Sequence, residues 1–414
     1  MTAPSVSLNQ AQNNEQPISV PGFFLLFSNR LSPVFNKFSK RPDGFAPLPE
    51  TTCNTLNRWR AAAQSHVLGP AFIQSDRLAV HPLGRIDLGG SKDQEPCHAD
   101  VCLITHVAGV ALWEVWIPAP RQSFSPELWI NWLDINQTDS MAERVWQRLS
   151  TISQSIAGTS DYDDYYPLSV IRLPDIELDG WLDAHAEQVV SLLWRDQISR
   201  PLKTNVVIDE LARDTCPRVG GMNLIGRRGA LELHDLHDES NTLEAEALEL
   251  PPRSALPFLI TLELLCIERA VLQSLYDRLT HAGPHSIDDL LTLKKEVMNG
   301  LEEYYGATLA STRFNDIVAE QGETVLGIAD LFDAVTDRLD MVSFTLTTEY
   351  QQRMTALQFW LTVVFGATEI GFIAASLATW YYRSGLGAVL AWTLGAAVLS
   401  GGVLVALLRR RLRD

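Results

Sequence analysis

Residues 323–382 constrain this chain more than any other stretch, because two helical registers run through them from mixed sequence into wholly apolar sequence. No proline occurs after Pro284, so no residue of that type interrupts a helix here. The spacing predicts one unbroken helix from Glu323 to Tyr382, about 90 Å long at 1.5 Å per residue. On one face Val325, Ile328, Phe332, Val335, Leu339, Val342 and Leu346 recur at steps of three and four, the spacing of a coiled-coil seam. The other face carries Asp330, Asp333, Asp337 and Asp340, then Thr348, Gln351, Thr355 and Gln358. Inside the apolar part it continues with Thr362, Gly366, Glu369, Ser376 and Thr379, and Thr355, Thr362, Glu369, Ser376 and Arg383 fall seven apart. A polar stripe of that kind is expected to face a partner helix or water rather than lipid.

Leu357–Tyr382 and Leu386–Leu408 are each longer than twenty residues and nearly uncharged, which predicts a hairpin of two membrane spans. Arg353 precedes the first, and Arg409, Arg410, Arg411 and Arg413 follow the second, against Arg383 alone between them. The excess of positive charge predicts that both ends face the cytoplasm, with residues 409–414 as a basic tail. Gly387, Ala391 and Gly395, four apart, offer a small-residue face for close helix contact.

The rest of the chain is acidic. The net charge is −17 overall; from residue 356 onward five Arg oppose Glu369 and Asp414, a net of +3 that leaves −20 on residues 1–355. Such a surface argues against nucleic acid as a partner and suits solubility or the attraction of cations. The five cysteines are scattered and odd in number, which suits a reducing compartment. Residues 1–20 read as a disordered leader, with no cationic segment followed by an apolar core.

Residues 21–250 mix strand and helix patterns, as an α/β or α+β domain does. Phe23–Phe27 is an apolar run of strand length, and Val101–Val107 and Val110–Ile117 around Ala108-Gly109 predict a hairpin. Leu168–Leu173, Asn205–Ile208 and Met222–Leu233 read as further strands, and Ser140–Ile156 and Leu178–Trp194 as helices. After Pro251-Pro252 come long helical patterns: Ser254–Leu279, another from Ser286 to about Val318, then the Glu323 helix, together a helical stalk over residues 254–355.

Other groups are weaker. His98, Asp100, Cys102 and His106, with Cys97 adjacent, are ligand types for zinc, yet the alternation with Val101, Leu103, Thr105 and Val107 is already what a half-buried strand requires. His234, Asp235, His237 and Asp238 read as a solvated loop, and so do Asp161, Asp163 and Asp164 among tyrosines. No phosphate-binding glycine loop, nucleophile elbow or strong metal spacing is written in the sequence, so no enzyme is expected.

An acidic cytoplasmic α/β domain, long helices, a stalk running into the first of two C-terminal spans, a short outer loop and a basic tail resemble the CorA family of divalent-cation transporters. The resemblance implies an inner-membrane homo-oligomer, a pentamer, with the first span lining a pore through Thr355, Gln358, Thr362, Gly366, Glu369, Ser376, Thr379 and Arg383. It makes a divalent cation such as magnesium the candidate cofactor, with Asp330, Asp333, Asp337 and Asp340 as a cation-sensing face. The family's Gly-Met-Asn signature is missing at the end of the first span, where the sequence reads Trp380-Tyr381-Tyr382-Arg383-Ser384-Gly385, and an arginine there would repel cations. Gly221-Met222-Asn223 spells the triplet far from the spans and reads as coincidence. The alternative is a membrane-anchored sensor or effector on the same scaffold, responding to a cytoplasmic signal without transporting magnesium.

Overall fold

The computed structural model describes residues 19–31, 42–68, 78–89, 98–119, 126–173, 177–196, 201–235, 249–281, 313–382 and 386–411. Among these, one compact unit holds everything up to Arg338 and a second begins at Leu339.

The first unit is built on a seven-stranded mixed sheet. Its strands are β1 (Ser19–Arg30), β2 (Leu78–Asp87), β3 (His98–His106), β4 (Val110–Pro118), β5 (Asp164–Leu173), β6 (Gly221–Ile225) and β7 (Ala230–Asp235). They lie in the order β2-β3-β4-β1-β5-β7-β6. Every pairing is antiparallel except β5 with β7. The apolar run Phe23–Phe27 suits β1 to the middle of the sheet, where it is flanked by β4 and β5 and covered on both faces, and all five of its side chains are buried. Pro82 sits in edge strand β2 at a register shift, where a missing backbone N–H disrupts least. The β3–β4 hairpin forms as expected, and Gly109, at φ +80°, supplies the left-handed turn residue.

Helices cover both faces. On the first lie α2 (Pro126–Leu133), α3 (Met141–Ala157) and α4 (Leu178–Trp194), packed on Phe23, Leu25, Phe27, Trp113, Val115 and Leu231. On the second lie α1 (Glu50–Val67), α6 (Leu256–His281) and α7 (Arg313–Val325), with α6 in contact with β1, β4 and β5. The short α5 (Thr204–Leu211) packs beside α4. This is an α/β sheet region followed by long helices.

Three expectations are corrected. Asn205–Ile208 is helical within α5, since the local β-branched preference of Val206, Val207 and Ile208 is weak beside the burial of Val207 against neighbouring elements. Met222–Leu233 is two strands, folded back at Gly226-Arg227-Arg228-Gly229, where the Gly226 N–H donates to the Gly229 carbonyl at 2.9 Å. The helix expected to run unbroken from Glu323 instead stops and restarts. Gly327 takes φ +68° and caps α7, and α8 begins at Ile328. The pattern from Ser286 is met by α7 from Arg313 on; its earlier part lies outside the described residues, as does leader sequence 1–18.

Helix α8 (Ile328–Tyr382) is long and apolar enough to cross a membrane, and α9 (Leu386–Arg411) contains a shorter apolar stretch, Leu390–Val403. Leu361, Phe365, Phe372, Ile373, Leu394 and Val398 are all exposed. The two helices touch through small residues. A Cβ added at Gly371 would lie 3.2 Å from the Thr393 carbonyl oxygen and 3.3 Å from the Ala397 methyl, and one added at Gly401 would lie 3.6 Å from that of Ala367. The contact on α9 runs through Thr393, Ala397 and Gly401 at a spacing of four, while a Cβ added at Gly387 or Gly395 would meet nothing within 4 Å among the described residues.

The middle strand carries the first testable consequence. Leu25 is fully buried, so Leu25→Ala is expected to destabilise the first unit by about 2–5 kcal/mol, read as a fall in the thermal midpoint of the purified full chain.

Candidate functional site

The polar stripe of α8 lies within the second unit from Thr355 onward. Thr355, Gln358, Thr362, Glu369 and Ser376 are exposed and Gly366 is half-buried; Thr379 belongs to the helix, its side chain outside the description, and Arg383 lies outside the described residues. At 3.6 residues per turn Glu369 is about 160° from both Ala367 and Gly371, so the stripe is on the side of α8 turned away from α9.

The hydroxyls of the stripe are satisfied inside the helix. Thr355 donates to the Gln351 carbonyl at 2.8 Å, Thr362 to that of Gln358 at 2.8 Å, and Ser376 to that of Phe372 at 2.9 Å. These bonds to the fourth preceding carbonyl let Ser and Thr sit in apolar surroundings without further partners. Glu369 differs: among the described residues it has no hydrogen-bond or ion-pair partner. The chemical demand of the stripe is thus concentrated on one carboxyl group.

Asp330, Asp333, Asp337 and Asp340 are exposed along one side of α8, while the seam residues Ile328, Val335 and Leu339 are buried. Among the described residues no three His, Cys, Asp or Glu side chains come together to hold a metal ion, and this covers both the aspartates within one chain and the β3 group. Asp100 is occupied by Arg85 at 2.7 Å, and His98 lies 3.1 Å from Glu249. Cys97, His237 and Asp238 lie outside the described residues. Gly221-Met222-Asn223 opens buried strand β6. Asp164 is no loop residue: it opens β5 and pairs with Arg269 of α6 at 3.0 Å, and Asp163 accepts the Arg30 N–H at 2.9 Å.

Sequence reasoning missed a second feature. Arg60, Asp100, His106, Glu114, Arg172, Glu232, Glu263 and Glu268 are buried, and all belong to the second face of the sheet or to the helices covering it. Arg60 of α1 donates to Glu114 of β4 and, at 2.5 Å, to Glu263 of α6. Burial pushes the Glu263 carboxyl well above its usual range; Arg60 opposes this and Glu114 adds to it. Arg60 thus stands between two buried carboxylates and donates to both. Burial likewise pushes up the neighbouring Cys102 thiol, leaving it protonated and unreactive. The signal was present in the sequence: Glu263 and Glu268 stand in the apolar run Leu262-Glu263-Leu264-Leu265-Cys266-Ile267-Glu268, and Glu114 between Trp113 and Val115.

No protein family, characterised protein or solved structure matches this chain.

Glu268 makes the buried charge measurable. Burial, reinforced by Glu323 of α7, raises its carboxyl from the ordinary 4.5 to about 8. A group whose value is raised on folding contributes stability that is complete below about 4.5 and is lost as pH rises through about 8. The thermal midpoint of the wild type is therefore expected to fall over that interval relative to Glu268→Gln, which carries no such titration; parallel pH profiles for the two proteins would contradict it.

Proposed function

We propose that the chain is a membrane ion channel or transporter of CorA-like build, in which several copies surround a cation path lined by the first span. Its two spans are 357–382 and 386–408, joined by a short outer loop. Arg353 on one side and Arg409, Arg410, Arg411 and Arg413 on the other hold both ends in the cytoplasm of an inner membrane. Reporter fusions to the C-terminus are expected to report a cytoplasmic location; an external signal would reject the topology.

The observation that carries this reading is the position of Glu369. It lies near the middle of the first span, on the side of α8 turned away from α9, and has no partner among the described residues. An ionised carboxylate facing lipid at that depth costs about 3 kcal/mol or more. Neither span contains a basic residue to neutralise it. A closed ring of copies removes the cost by giving every Glu369 a hydrated path, and it turns one carboxylate per chain into a cation-attracting ring. The resemblance sets that ring at five. The exposed stalk aspartates are multiplied about the same axis, where they concentrate divalent cations such as magnesium.

A second reading, a membrane-anchored sensor or effector on this scaffold, is favoured by one observation: Trp380-Tyr381-Tyr382-Arg383 stands where the Gly-Met-Asn signature belongs. Ion flux in liposomes separates the two. The wild type is expected to conduct, and Glu369→Gln, which keeps shape and hydrogen bonding, to lose most of the flux or its cation preference while remaining assembled. Flux, preference and pH dependence all unchanged in an intact Glu369→Gln assembly would overturn the pore role, and no flux in the wild type would favour the sensor.

A further inference from the structure

A cleft of about 930 Å³ opens on the first unit where the ends of α4 and α5, the β6–β7 turn and α7 meet. That volume falls within the roughly 300–1,000 Å³ of small-molecule sites. Arg213, Arg227 and Arg228 stand in its wall, in a stretch of chain that is otherwise strongly acidic. The turn bearing Arg227 and Arg228 is fixed at its base, since the Tyr166 hydroxyl donates to the Gly226 carbonyl at 2.8 Å and the Gly226 N–H to the Gly229 carbonyl.

The three carboxylates of the wall leave two of its three arginines without a direct ion pair among the described residues. Glu210 is held by Arg213 at 3.1 Å. Asp196 and Glu320 also line the cleft, yet among the described residues neither Arg227 nor Arg228 has an ion-pair or hydrogen-bond partner. Gln321 of α7 also lines the cleft, and its buried Nε2 has no acceptor among the described residues. A buried donor left unpaired costs about 1–3 kcal/mol. Trp194 adds a flat apolar surface beside these donors.

We infer that this cleft binds a small phosphate-bearing anion, held by the guanidinium groups of Arg227 and Arg228. Planar guanidinium groups suit phosphate because they donate two parallel N–H bonds to its oxygens. The site does not rest on the conduction reading, since its occupancy is read without flux.

The test is isothermal titration calorimetry on the purified full-length chain with inorganic pyrophosphate and with ADP, and with adenosine as the phosphate-free control. Saturable binding of at least one phosphate compound is expected, with none of adenosine. The double change Arg227→Ala and Arg228→Ala is expected to weaken binding by about tenfold or more, the scale of a lost charged hydrogen bond. Both side chains are exposed on a turn, so the thermal midpoint should hold. Arg228→Gln alone, expected to weaken binding in the same direction, serves if the double variant does not fold. Arg218→Ala, an exposed arginine outside the cleft, should bind as the wild type does. No binding of either phosphate compound to the folded wild type, equal binding of adenosine, or binding that survives the arginine changes overturns the proposal.

Discussion

The guanidinium of Arg60 joins three elements that are distant in sequence: its own helix α1, strand β4 through Glu114, and helix α6 through Glu263. A lone charge at this depth could not persist, and the arrangement stands because each member neutralises the others. The consequence reaches beyond the three residues. Helix α6 can carry two glutamates through an otherwise apolar sequence only because α1 and α7 close over the same side of the sheet. The layer between sheet and helices on that side is therefore held by charge as well as by apolar contact.

The second unit follows a different rule. Its hydroxyl groups are satisfied by their own helix, its small residues let α8 and α9 approach closely, and its large apolar side chains stay exposed. Each of these suits a surrounding that offers no hydrogen bonds. Among the described residues of its apolar part Glu369 departs from the rule, and that makes it the residue on which a functional reading of this unit turns.

Much of this was legible in the sequence, and the failures are instructive. Phe23–Phe27, the β3–β4 hairpin, α3 and α4 were readable because period and turn residues agreed there. Asn205–Ile208 misled because four residues of β-branched character say little against the packing of a whole segment. The break before α8 does not show in the proline spacing, because Gly327 ends the helix through its left-handed backbone. The buried charges and the arginine cleft were beyond reach for another reason. Arg60 and Glu263 are 203 positions apart, and Arg228 and Gln321 belong to elements whose proximity only the fold decides.

The unequal chemistry of the two sheet faces also sets how the first unit can change over time. On the side of α2, α3 and α4, apolar residues of similar volume can be exchanged with small adjustments of packing. On the side of α1 and α6, an exchange at Arg60, Glu114 or Glu263 strands a partner in a dry interior, so these positions can vary only together. Sequences descended from a common ancestor should therefore drift freely on one half of this core and in linked steps on the other.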